Sequence, residues 1–210
     1  MTIIKICGIK TVVDALAAVE AGADYLGFNF YAHSPRFIQM QDCAAITALL
    51  KKEHPEIRLV GVFVNSPVGA INSIMGSCSL DLAQLHGDET PEFCAALGSK
   101  AFKAFRGSPN GELAAYARYE APAFLVDAAV KGAFGGTGAT ADWTAAAELA
   151  SRYAILLAGG LNPENVAAAV RQVHPWGVDV ASGVESSPGR KDAGKMRSFV
   201  QSVRRTRDQA

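Results

Sequence analysis

Short apolar runs and longer Ala-rich stretches alternate along the whole chain. Runs rich in Val, Ile, Leu and Phe predict strands at 3–7, 25–30, 59–64, 80–85, 101–105, 123–127, 154–157 and 178–181. Between them, helices are predicted at 12–21, 43–52, 68–75, 91–97, 113–118, 144–150 and 163–173, with a last one at 191–204. Thr90 before Pro91 reads as an N-cap followed by proline at the first helical position, and Asn162 before Pro163 repeats the pattern. Asp142, ahead of "WTAAAELA", is a third cap candidate. Eight βα units imply an all-parallel sheet, because a crossover helix returns the chain to a parallel strand. The expected fold is α/β, a single (β/α)8 TIM barrel of parallel strands, with residues 1–210 forming one catalytic domain. A doubly wound open sheet competes. That fold opens with G-x-G-x-x-G after its first strand, whereas "CGIKT" carries one glycine.

Composition narrows the class. Of the 210 residues, 50% are hydrophobic and 19% charged, which excludes a disordered chain. Lys plus Arg and Asp plus Glu number 20 each, so the chain lacks the basic footprint of a nucleic-acid or anionic-membrane binder. Cys7, Cys43, Cys78 and Cys94 are scattered without CxxC spacing, and the opening "MTIIKICG" has no long apolar signal core. No apolar stretch reaches bilayer-spanning length. The expectation is a cytoplasmic enzyme with free thiols and a small-molecule partner, whether it works as a monomer or a homodimer.

In such a barrel the chemistry lies at the C-terminal ends of the strands. Those ends hold Cys7, Arg36, Gln84, His86, Asp127, Gly160, Asp179, Ser182 and Gly183. Two turns carry a phosphate argument: "LLAGGLNPENV" follows the seventh strand and "VDVASGVESSPG" the eighth. Backbone N–H groups at such glycine-rich turns can point at an anion, and Gly160, Ser182 and Gly183 are the candidate donors. Either loop alone reads as well as a simple tight turn; their pairing favours phosphate. Asp127 ends "AFLVD" ahead of a glycine-rich segment, 132–138, long enough for a lid. Lys5 shares parity with Cys7 on the first strand and needs a carboxylate, Asp127 or Asp179. It reads as a structural ion pair or as a cation that favours a Cys7 thiolate. His86 reads as a wall residue, and Arg36 as a surface arginine or a carboxylate clamp. The histidines lack a suitably placed carboxylate pair, so no metal is expected.

The stretches "KICGIK", "GADYLGFNFYAHSPR", "VGVFVN", "QLHGDE", "VD" with "GGTGATADW", "LAGGLNPENV" and "VDVASGVESSPGRKD" together resemble the phosphoribosylanthranilate isomerases of tryptophan biosynthesis. They run in the family's order from Lys5 to Asp192. The resemblance implies a (β/α)8 barrel, and an Amadori rearrangement of N-(5-phosphoribosyl)anthranilate to 1-(2-carboxyphenylamino)-1-deoxyribulose 5-phosphate. It implies Cys7 as general base and Asp127 as general acid, with no cofactor because the iminium is its own electron sink. It further implies Arg36 on the anthranilate carboxylate, Gly160, Ser182 and Gly183 on the phosphate, and Asp179 near the ribose. Such roles require Asp127 to hold its proton while Cys7 loses its own. Ala181 departs from the family, which commonly carries serine there. A histidine-pathway isomerase performs the same rearrangement, but its family resembles a two-carboxylate design with aspartate at the Cys7 position. A catalytically silent phosphosugar-binding barrel is the alternative outside enzymology.

Overall fold

The computed structural model describes residues 1–107, 113–117, 122–127 and 143–206. The apolar runs form eight strands: β1 Ile3–Cys7, β2 Tyr25–Asn29, β3 Arg58–Phe63, β4 Leu82–Leu85, β5 Ala101–Arg106, β6 Phe124–Asp127, β7 Ile155–Ala158 and β8 Gly177–Val180. Each pairs in parallel with the next and β8 returns to β1, closing a barrel. Around it lie α1 Val12–Ala21, α2 Met40–Glu53, α3 Val68–Ser77, α4 Pro91–Ala96, α5 Trp143–Ala150, α6 Val166–Val173 and α7 Ala193–Arg205. After β8 the chain makes one 3-10 turn, Ser182–Val184, and a short antiparallel hairpin of β9 Glu185–Ser187 with β10 Arg190–Lys191. No described helix is long and apolar enough to cross a membrane.

Period-2 parity decides what each strand contributes. On β1, Ile4 and Ile6 are fully buried among core side chains that include those of the surrounding helices, while Lys5 and Cys7 have the opposite parity. Val60, Phe102, Leu125 and Leu156 pack together inside the barrel, with Tyr25, Leu82 and Trp176 against them. Above that apolar plug, inward positions become polar. The helices dock through stripes at helical spacing: Val166, Ala169, Val170 and Val173 on α6, and Met196, Phe199, Val200 and Val203 on α7. Each large apolar side chain so buried contributes roughly 1.5–3 kcal/mol of gross burial energy.

Most expected elements form within one to three residues of their predicted ends, and local chemistry explains the shifts. Thr90 caps α4 by accepting from the Phe93 N–H at 3.3 Å, with Pro91 at the first turn. Asn162 caps the turn ahead of α6 instead of the helix, accepting from the N–H groups of Glu164 and Asn165 at 3.0 Å each, so α6 starts at Val166. The last helix starts at Ala193 because Arg190 and Lys191 belong to the hairpin; Asp192 then caps it, accepting from the Lys195 N–H at 2.9 Å. The helix expected at 113–118 is one 3-10 turn, Leu113–Ala115. Residue 118, the expected lid at 132–138, the Asp142 cap and residues 207–210 lie outside the described residues.

Candidate active site

At the C-terminal mouth of the barrel lies a cavity of about 270 Å³. Cys7 from β1, Arg36 beyond β2, Gln84 at β4 and His86 just after it line one side. Asp127 at the end of β6, Gly160 after β7, and Asp179 and Ser182 at β8 line the other. The structure thus brings together every candidate residue except Gly183, which lies behind Ser182. A Cβ on Gly183 would collide with the Leu161 carbonyl, so glycine there lets the β7 and β8 loops meet. Gly160 has the left-handed φ of 64°, and a Cβ added to it would meet open space; its glycine serves backbone conformation.

Beneath the cavity Lys5 is fully buried and donates to Asp179 Oδ1 at 2.7 Å. The two residues face each other in the β1–β8 register, which settles Asp179, and not Asp127, as the partner. Burial alone would lower the Lys5 pKa, but Asp179, helped by Cys7, outweighs it and the ammonium is held above 10.5. For Cys7 the balance favours Lys5 as a structural ion pair over Lys5 as an activating cation. Burial pushes its thiol above the usual 9.0, and the opposing pull of Lys5 is smaller, with Asp179 adding its own negative charge. A lysine already neutralised by a carboxylate is a weak thiolate partner. Lys5→Met is expected to cost about 3–5 kcal/mol of stability, because it leaves Asp179 as an uncompensated buried charge. Urea unfolding measures it, and a loss below about 1 kcal/mol would show that the pair is not structural.

Arg36 is held differently from a free clamp. Its Nε and Nη2 donate to the two oxygens of Glu185 at 2.7 and 2.8 Å. This bidentate pairing raises the guanidinium pKa, and it leaves the Nη1 side of the fork unused by Glu185. Glu185 also accepts from the buried Lys191 Nζ at 2.8 Å. Burial would raise the Glu185 pKa, but Arg36 and Lys191 bring it below 4.5, so it stays ionised.

Gln84 is 1% exposed, and its Oε1 is buried with no hydrogen-bond partner among the described residues. Its Nε2 lies 3.3 Å from His86 Nδ1. Burial lowers the His86 pKa against the opposing charge of Asp127, which leaves a neutral imidazole at pH 7.

Sequence reasoning missed Glu185 and Lys191, both at most 6% exposed, and Asn29, which also lines the cavity. A signal existed: Pro188 and Gly189 form a turn dipeptide that folds 185–187 back on 190–191. That turn sets Lys191 opposite Glu185 just past the loop after β8.

Comparison with known proteins agrees with this geometry. The family model described as N-(5'-phosphoribosyl)anthranilate (PRA) isomerase matches residues 4–202. An N-(5'-phosphoribosyl)anthranilate isomerase of Pelobacter propionicus is 46% identical over 207 residues, covering 99% of this chain and 98% of its own. The crystal structure of phosphoribosyl anthranilate isomerase from Thermotoga maritima superposes with a TM-score of 0.85 at 36% identity, covering 97% of this chain and 99% of that one. A phosphoribosyl anthranilate isomerase solved in complex with reduced 1-(o-carboxyphenylamino)-1-deoxyribulose 5-phosphate gives 0.80 at 34% identity, with the same coverage. With a family model spanning nearly the whole barrel and relatives aligned end to end, this chain belongs to the phosphoribosylanthranilate isomerase family.

Proposed function

We propose that this chain isomerises N-(5'-phosphoribosyl)anthranilate to 1-(2-carboxyphenylamino)-1-deoxyribulose 5-phosphate by general acid–base catalysis, a step of tryptophan biosynthesis. The observation that carries it is one cavity presenting a thiol (Cys7) and a carboxyl (Asp127) from different strands, with the β7 and β8 loops on its rim. A related enzyme solved in complex with reduced 1-(o-carboxyphenylamino)-1-deoxyribulose 5-phosphate supports a phosphosugar ligand for this chain. The four free cysteines support a reducing, cytoplasmic setting.

In this reading, Asp127 donates a proton to the furanose ring oxygen; the C1–O bond breaks and the anthranilate nitrogen becomes an iminium. The Cys7 thiolate then takes the proton from C2, and the C2–H electron pair moves into the iminium to give the enolamine. Tautomerisation yields the ketone. The thiol of the free enzyme is held protonated by burial, so the positive iminium, formed in the same cavity, supplies the charge that favours loss of that proton to solvent and leaves the thiolate. Gly160 and Ser182 hold the phosphate, with Gly183 setting their loops together. Arg36 takes the anthranilate carboxylate, and Asp179 lies below the ribose. Gln84 and His86 line the same cavity and complete the substrate-binding set.

The test is turnover: purified enzyme consumes the substrate's anthranilate fluorescence with time. A folded wild type that leaves the fluorescence unchanged would return the chain to the silent phosphosugar-binding reading.

A further inference from the structure

Beside the cavity runs a chain of charged side chains of which the mechanism uses Arg36 alone. Arg36, from the loop after β2, rests on Glu185 through two bonds of 2.7 and 2.8 Å. Glu185 accepts from Lys191 Nζ at 2.8 Å, and the same Nζ donates to the Ala181 carbonyl at 3.0 Å. Ala181 immediately precedes Ser182, where the phosphate loop begins. Lys195 adds a bond to the Glu185 carbonyl at 2.8 Å, fixing its backbone. The side chains of Glu185 and Lys191 are 4% and 0% exposed, so neither can be serving solubility. The stem of Arg36 crosses Gly8, where an added Cβ would come within 2.6 Å of its Cδ. The stem of Arg36 is therefore packed against Gly8 while Glu185 holds its guanidinium.

We infer that Glu185 is a positioning residue: anchored by Lys191, it fixes one edge of Arg36 so that the other edge meets the substrate carboxylate. Through Lys191 and the Ala181 carbonyl, it also ties that arginine to the phosphate loop. This rests on the roles given above to Arg36 and Ser182. Chemistry favours it over a simple charge effect. Glu185 occupies Nε–H and one Nη2–H, which leaves three of the five guanidinium donors for a second carboxylate. Arg36, Lys191 and Lys195 outnumber the single Glu185 carboxylate, so the cluster favours an anionic substrate. The substrate is charged at both ends, and a rigid link between its two anchors sets their separation. A substrate of the wrong length then loses one anchor or the other.

The two explanations predict opposite signs. Glu185→Gln makes the cluster more positive, so a purely Coulombic role lowers KM for the anionic substrate; a positioning role raises it. Steady-state kinetics on Glu185→Gln, Glu185→Asp, Arg36→Lys and the Glu185→Gln/Arg36→Lys double variant decide. The expected result for Glu185→Gln is a KM raised about tenfold or more, with kcat within about threefold of wild type. In the Arg36→Lys background, where no fork remains to be held, the further effect of Glu185→Gln falls below about twofold. Glu185→Asp keeps the buried charge but retracts it, and gives a smaller rise of the same sign. It carries the test if Glu185→Gln shows no cooperative melt. A KM that is unchanged or lower, a loss confined to kcat, or full multiplicative effects in the double variant would overturn the inference. A wild type that does not turn over phosphoribosylanthranilate would instead overturn the functional reading beneath it.

Discussion

Cys7→Ala is expected to lower kcat by about 10²–10⁴-fold, the range lost when a general base is removed, while the barrel stays folded. The fold tolerates the change because little packing depends on the sulfur. Cys7 sits at the last position of β1 opposite Gly27, whose missing side chain makes room for it: a Cβ on Gly27 would lie 2.7 Å from Sγ. Lys5 and Asp179 remain paired beneath, so no buried charge is released. Loss of anthranilate fluorescence under saturating substrate gives kcat, and a urea midpoint close to wild type separates chemistry from stability. Cys7→Ser sharpens the test, since a hydroxyl in the same buried place is a far weaker acid and leaves almost no alkoxide. Turnover within about tenfold of wild type in Cys7→Ala would move proton abstraction to another group.

Asp127→Asn is expected to cost a similar factor, about 10²–10⁴-fold in kcat, because the amide keeps the carboxyl's shape but has no acidic proton to give the ring oxygen. Its pH dependence carries more information than its size. With an amide in place of the acid, deprotonation of Cys7 is the requirement that changes with pH. Because burial holds that thiol above 9.0, the residual kcat/KM of Asp127→Asn is expected to rise across neutral and mildly alkaline pH, approaching tenfold per unit. A profile that falls or stays level would detach Cys7 from the proton abstraction.

The barrel was legible because parallel strands covered on both faces read as unbroken apolar runs, and α6 and α7 carry their docking stripes at helical spacing. The candidate site was legible for a topological reason: once eight parallel strands close, their C-terminal ends share one rim. Cys7, Gln84, Asp127 and Asp179 each stand at or beside such an end, so locating the strands located them. What local pattern cannot supply is pairing across distance. Lys5 and Asp179 are 174 positions apart, and Arg36 and Glu185 are 149 apart. Asp127 and Asp179 were equal candidates for Lys5 until closure of β8 onto β1 set the register.

The same limit governs electrostatics. Lys5 two residues from Cys7 suggests an activating cation, yet the sign of the thiol's shift depends on how deeply it is buried and on the carboxylate that already neutralises the lysine. The sequence by itself determined the order of strands and helices and the rim on which the candidate residues stand, because these follow from periodicity and parity along the chain; the acid and base roles are what the family resemblance implies. Only the tertiary structure decided which charges pair, that Arg36 is seated on Glu185 and Lys191, and that the resting thiol is protonated. Burial and Coulomb interaction depend on separation in space, which the sequence does not carry.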